Sequence, residues 1–203
     1  KAYASEKSPL ELSFIPIHPG DILSYGGYHF EVKLLKGHTF GQCGLYEPEK
    51  KLMFVGDQLM TTIVPIVGTQ ETDLGMLKCY LDSLGDLKHN YKDCYFLPCH
   101  YGEIRNVEKE VNRIILGYLE KCEIMKHVLE EAGTALTTRD IGVRTYGRSQ
   151  GPPDYAHFAS CTYIWAKTFS CMEYMMGEGF VERSERDGII YWKAPSIHFE
   201  NNR

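Results

Sequence analysis

The apolar period of this chain changes twice between Tyr28 and His100, and that limits its fold more than any other feature. Residues first alternate, with Tyr28, Phe30, Val32 and Leu34 on one face, and Gly26-Gly27 just before them is a tight-turn signal. Apolar runs at Cys43 to Tyr46 and Leu52 to Val55 follow, separated by a turn in which Pro48 fixes φ. These segments predict a meander of short strands. From Thr72 to Asn90 the spacing widens: Leu74, Leu77, Leu81, Leu84 and Leu87 recur every three or four residues, as on one stripe of an amphipathic helix that covers a sheet. Residues 93 to 100 then read as a short buried strand that runs out at Pro98 into a loop carrying His100.

Beyond Arg105 the pattern becomes helical. Val107, Val111, Ile114, Tyr118, Cys122, Met125 and Leu129 share one face of a long helix that starts near Asn106 and stops at Gly133. Thr137-Thr138-Arg139-Asp140 has the look of an N-cap for a short helix, and residues 147 to 154 form a Gly/Pro loop. A third helix is predicted from His157 to Met176, with Cys161, Trp165, Phe169, Met172 and Met176 inward. Two strands, Phe180 to Arg183 and Ile189 to Lys193, meet at a turn on Asp187-Gly188. Helix, short helix, helix and two-stranded ribbon is the layout of a winged helix. The expected division is therefore residues 1–105 and 106–203.

Composition narrows the partners. Of 203 residues, 43% are apolar, which is enough for a buried core, and the net charge of -5 offers no broad positive field to nucleic acid or an anionic membrane. From Thr134 to Pro195 seven basic residues balance seven acidic ones, and the third helix carries only Lys167 against Glu173, so its composition does not favour DNA. No run approaches the ~18 to 20 apolar residues of a membrane helix, and the first residues lack the layout of a secretion signal. Seven cysteines with no CxxC pair favour reduced thiols, hence a cytoplasmic protein. Starting at Lys1 rather than Met, the chain is expected to be a processed or truncated piece.

Three strand-to-loop exits carry metal-ligand side chains: Gly37-His38-Thr39, Gly56-Asp57-Gln58 and Pro98-Cys99-His100. The glycines before His38 and Asp57 permit sharp turns that aim these side chains out of a sheet edge. Across GHTFGQCGLYEPEKKLMFVGD, and in the order and spacing of the three elements, the sequence resembles the metallo-β-lactamase superfamily. The resemblance runs from about Asp21 to Arg105 and continues into the helical tail. It implies a site for two divalent metal ions, zinc first, with iron or manganese as alternatives. His38 would complete the first ion's set, Asp57 would bridge both ions, and His100 would bind the second. Imidazole and carboxylate suit such ions, and a bridging carboxylate holds two of them ~3.5 to 4 Å apart, with a hydroxide between them as the nucleophile.

The family's HxHxDH motif, expected upstream of residue 37, has no counterpart here, since His18 and His29 stand alone. Only three of the family's roughly seven ligands are therefore in the chain. Lys36 stands where the family has Pro, and Cys99 where it has Gly. The resemblance leads us to expect an α+β chain: the C-terminal half of an αββα sandwich followed by a winged helix, inactive alone and holding few or no ions. In the intact protein it implies a metal-dependent hydrolase, and the acidic net charge points to a small-molecule ester or thioester as its substrate. The alternatives are an endoribonuclease or phosphodiesterase of the same fold, and a non-catalytic winged-helix interaction protein. The sheet face turned away from the helix is expected to meet the N-terminal half or a second copy of the chain.

Overall fold

Residues 15–67, 75–147 and 155–195 are described by a computed structural model of the chain, with side chains in the last range described from residue 163 onward. The predicted meander is β1 (Ile22–Tyr25), β2 (Tyr28–Leu34), β3 (Cys43–Glu47) and β4 (Leu52–Gly56), each antiparallel to the next. Helix α1 (Met76–Asn90) then carries the chain back so that β5 (Tyr95–Pro98) lies parallel to β4, closing a five-stranded sheet in the order β1-β2-β3-β4-β5. A helical crossover is what a parallel pair requires. It also brings the C-terminal ends of β4 and β5 side by side.

The register divides the sheet into two faces. Val32, Leu45, Phe54 and Leu97 stand opposite one another across four strands, so they share a face, and Glu31, Tyr46, Met53 and Phe96 form the next row on the other. Met53, Val55 and Phe96 are fully buried under α1, whose Leu77, Tyr80, Leu84 and Leu87 complete the layer. This stripe is rotated from the expected one: Tyr80 is fully buried whereas Leu81 is half-buried, because the Tyr80 ring fills the space under the β2–β3 connection. Leu74 lies outside the described residues. On the far face Val32 is buried among its neighbours, while Tyr28, Leu34 and Phe54 remain 40%, 40% and 41% exposed.

The C-terminal elements follow the predicted order. Helix α2 (Val107–Ala132) starts where the Asn106 side chain accepts from the Lys109 amide and ends at Gly133, whose φ of +60° suits a glycine C-cap. Next come β6 (Leu136–Thr137), α3 (Thr138–Tyr146), α4 (Tyr155–Gly177), β7 (Glu182–Arg186) and β8 (Ile189–Lys193), with the strands in the order β6-β8-β7. Strand β6 was not foreseen, since two residues carry no period. Along α4 the expected inward face holds at Met172, which is buried, and at Phe169 and Met176, which pack against the core, but not at Trp165, which is 37% exposed. Among its described side chains Thr168, Ser170, Cys171, Glu173 and Met175 are buried as well. The helix packs on α1, α2 and α3 together, so several of its sides are buried and no single stripe marks the inside. Cys161 lies among the residues whose side chains are not described. One buried cluster runs from Leu35 to Trp192 and passes without interruption through the expected boundary at 105/106, because α2 packs on both α1 and α3.

Candidate metal centre

Three loops at one end of the strands, after β2, β4 and β5, bring His38, Asp57 and His100 together. After β2 the Leu35 amide donates to Gln42 O at 2.7 Å, and a tight turn closed by Gly37 N on Thr39 O at 3.2 Å presents His38. Gly37 has φ +144°, and a Cβ there would lie 2.3 to 2.7 Å from Cδ2, Cβ and Cα of Tyr80, so only glycine lets the turn lie on α1. At the end of β4, Gly56 (φ +57°) faces Gln42 Nε2, which a Cβ would meet at 2.3 Å, and Gln42 bonds back to Val55 O at 3.3 Å. Asp57 follows. The Cys99 amide donates to Gly56 O at 3.1 Å, which sets the β5 exit, and hence His100, beside Asp57.

The two imidazoles flank the carboxylate at ion-pair rather than hydrogen-bond distance. His38 Nε2 lies 3.6 Å from Asp57 Oδ2, and His100 Nε2 lies 3.5 Å from Asp57 Oδ1. These separations are too long for good hydrogen bonds. His38 Nδ1 is 2.8 Å from Ile66 O, and because a carbonyl only accepts, Nδ1 carries a proton, so in the neutral ring it is Nε2 that is bare and turned to the carboxylate. Asp57 Oδ1 is buried and has no hydrogen-bond partner among the described residues. A buried carboxylate oxygen without a donor is costly, and a cation is the partner that both the oxygen and a bare imidazole nitrogen accept.

The donor set therefore suits divalent metal, but it is incomplete. Each imidazole faces a different oxygen of Asp57, giving two donor pairs that share a carboxylate, and among the described residues no group of three or more His, Cys, Asp or Glu side chains could hold an ion. Cys99 is exposed, and Tyr101 (φ +68°) tilts against the His100 ring with centroids 6.1 Å apart.

Two supporting residues were not anticipated. Gln58 is fully buried: its Nε2 donates to Lys36 O at 3.1 Å and Ser83 Oγ at 3.0 Å, and its Oε1 accepts the His38 amide at 3.5 Å. Tyr80 Oη donates to Gln58 O at 2.8 Å, and burial holds its phenol far above the usual range, so it remains a donor. Gln58 follows Asp57 directly, so its position was visible in the sequence. Its partners, 22 and 25 residues away, were not.

Known proteins agree with the fold. No family model matches the chain. A metallo-β-lactamase family protein from Thermus thermophilus superposes with a TM-score of 0.75 at 22% identity, covering 91% of this chain and 55% of that one. A β-lactamase domain protein from Burkholderia ambifaria does so with a TM-score of 0.75 at 18% identity, covering 90% and 53%. A curated Haemophilus influenzae protein, hydroxyacylglutathione hydrolase GloC, is 50% identical over 40 residues, which is 20% of this chain and 19% of that protein. The chain has the metallo-β-lactamase fold, as the sequence resemblance implied. It spans about half the length of each of these two solved structures.

Proposed function

We propose that this chain is the C-terminal part of a metal-dependent hydrolase of metallo-β-lactamase fold, acting on a small-molecule ester or thioester. The observation that carries this reading is the His38–Asp57–His100 arrangement, in which two imidazole nitrogens face the two oxygens of one carboxylate and one of those oxygens is buried without a donor. His38 and Asp57 Oδ2 would hold one divalent ion, Asp57 Oδ1 and His100 the other, and the remaining donors would come from the N-terminal part of the protein. Bound there, two such ions supply Lewis acidity and a nucleophile at neutral pH. Ile66 O holds the His38 ring at 2.8 Å, so this donor is oriented before any ion arrives. The ester or thioester class draws on the acidic net charge, which disfavours a polyanionic substrate, and on the substrate in the name of the H. influenzae relative.

Asp57→Asn tests the reading. The neutral amide keeps the shape but removes the shared charge, so the full encoded protein should lose at least one ion by elemental analysis, and hydrolysis of an ester and thioester panel should fall by orders of magnitude. Activity within about twofold of wild type would remove Asp57 from the site. The 203-residue chain alone, with two incomplete donor sets, should retain less than stoichiometric metal after dialysis.

A further inference from the structure

Between Asp57 and residue 67 the chain forms an irregular loop, and most of its described carbonyl partners come from the C-terminal helices. Arg113 Nη2 on α2 donates to Met60 O at 2.6 Å and Ile63 O at 3.3 Å, while Arg113 Nε is held by Glu110 Oε2 at 2.8 Å. Tyr163 Oη on α4 donates to Val64 O at 3.1 Å, and Tyr118 Oη on α2 donates to Pro65 O at 2.6 Å. The next carbonyl, Ile66 O, is the one that accepts the proton of His38 Nδ1. At its other end the loop reaches the second imidazole, since Thr61 Oγ1 donates to Tyr101 O, one residue beyond His100, at 3.3 Å. Burial raises the phenol pKa of both Tyr118 and Tyr163, so both keep their protons and continue to donate.

Three consecutive carbonyls, 64, 65 and 66, are thus fixed together, two by tyrosines of the helical tail and the third by His38. Releasing the first two would loosen the third, leaving it to the packing of its neighbours Pro65 and Val67, both buried. His38 Nδ1–H would then face water, and the proton could move to Nε2, the atom whose lone pair faces Asp57.

We propose that Tyr118 and Tyr163, assisted by Arg113, are positioning residues for the candidate centre: they grip the 60–66 loop so that Ile66 O holds His38 in its Nδ1-protonated tautomer. The helical tail then serves to set the donor atom of a ligand that lies on the other side of the molecule's sheet–helix boundary. The functional consequence rests on the hydrolase reading above, whereas the effect on His38 can be read with no metal and no substrate present.

The test is a two-bond 1H–15N correlation on the metal-free, 15N-labelled chain at a pH where the histidines are neutral. Wild-type His38 should show a protonated Nδ1 and a bare Nε2. In Tyr118→Phe/Tyr163→Phe, which keeps both rings and removes only the hydroxyls, the His38 pattern should shift toward the Nε2-protonated form, and amides in the 60–67 loop should exchange about tenfold faster. Tyr46→Phe, which removes a hydroxyl remote from this loop, should leave His38 unchanged. The single variant Tyr163→Phe, at a half-buried position, should show the same change in smaller amount and carries the test if the double variant does not fold. The proposal is overturned by an unchanged His38 pattern in the folded variants, by a wild-type His38 protonated at Nε2, or by an equal shift in Tyr46→Phe. Each of these can occur whether or not the intact protein proves to hydrolyse anything.

Discussion

Gly37 shows how much of the site rests on a residue with no side chain. A Cβ at this position would overlap the backbone and Cβ of Tyr80, which α1 holds in place, and a φ of +144° strains any other residue. Gly37→Ala should therefore cost about 2 to 4 kcal/mol in urea denaturation. Gly85, in the middle of α1 with nothing within 4 Å of its would-be Cβ, should respond in the opposite sense, and Gly85→Ala should stabilise the chain by about 0.5 to 1 kcal/mol. Equal effects of the two substitutions would mean that Tyr80 does not press on the turn. The need for glycine before His38 was legible in the sequence as a sharp turn. The cause was not, because Tyr80 lies 43 positions further along and reads there only as one more residue beside a leucine stripe. Asp57 is a similar case: its place in a strand exit was visible, whereas its unpartnered Oδ1 depends on how three loops converge.

Among the elements, α2 was read almost to the residue and α4 was not. The seven predicted inward residues of α2 are all buried, and its Asn106 and Gly133 caps are where they were expected, because the opposite face of that helix meets water and keeps a clean period. Helix α4 is surrounded by α1, α2 and α3, so its pattern is apolar on several sides. Its half-buried Lys167 places Nζ 5.0 Å from the Tyr118 ring centroid. Burial pushes the Lys167 pKa down, with the Cys171 thiol opposing the shift and the Lys121 ammonium adding to it. The unfolded chain therefore binds more protons than the folded one between that lowered value and the ordinary lysine value of 10.5, so this group adds stability as pH rises through the window. Lys167→Met keeps the apolar stem and removes the titration. The stability of the variant minus that of wild type, followed by urea denaturation at pH 7, 9 and 10, should decrease steadily. Tyr118 and Cys171, the groups that Lys167 faces, are raised by burial and their neighbours well above their ordinary values of 10.0 and 9.0, so both stay protonated in either folded protein at these pH values and cancel from the difference. A difference independent of pH would show that Lys167 is solvated in the fold.

At the scale of the molecule, the orientation of β2 decides what kind of object this is. Its polar residues Glu31 and Lys33 lie on the face that α1 covers elsewhere, and its apolar residues Tyr28, Phe30, Val32 and Leu34 point away from the helix. Phe30 stacks on Tyr28 and meets Phe54 edge-on, so the apolar residues form a continuous surface across β2, β3 and β4. A sheet covered by a helix on one side only, with the other side solvated, would carry the opposite pattern on β2. The alternation was plain in the sequence, but which face would meet α1 was not, since it depends on the register across β3 and β4. Leaving about 400 Å² of such surface wet forgoes about 10 kcal/mol at ~25 cal/mol per Å², as much as a whole domain's stability. The proposed cover is the N-terminal part of the protein, or a second copy when that part is missing. The 203-residue chain at tens of micromolar should accordingly sediment as a dimer or larger species. Leu34→Glu with Phe54→Glu, two half-exposed positions on that face, should shift it to monomer without unfolding it. A wild-type chain that sediments as a stable monomer would mean that this face is complete as it stands, and with it would go the half-sandwich from which the missing ligands of His38 and His100 are argued.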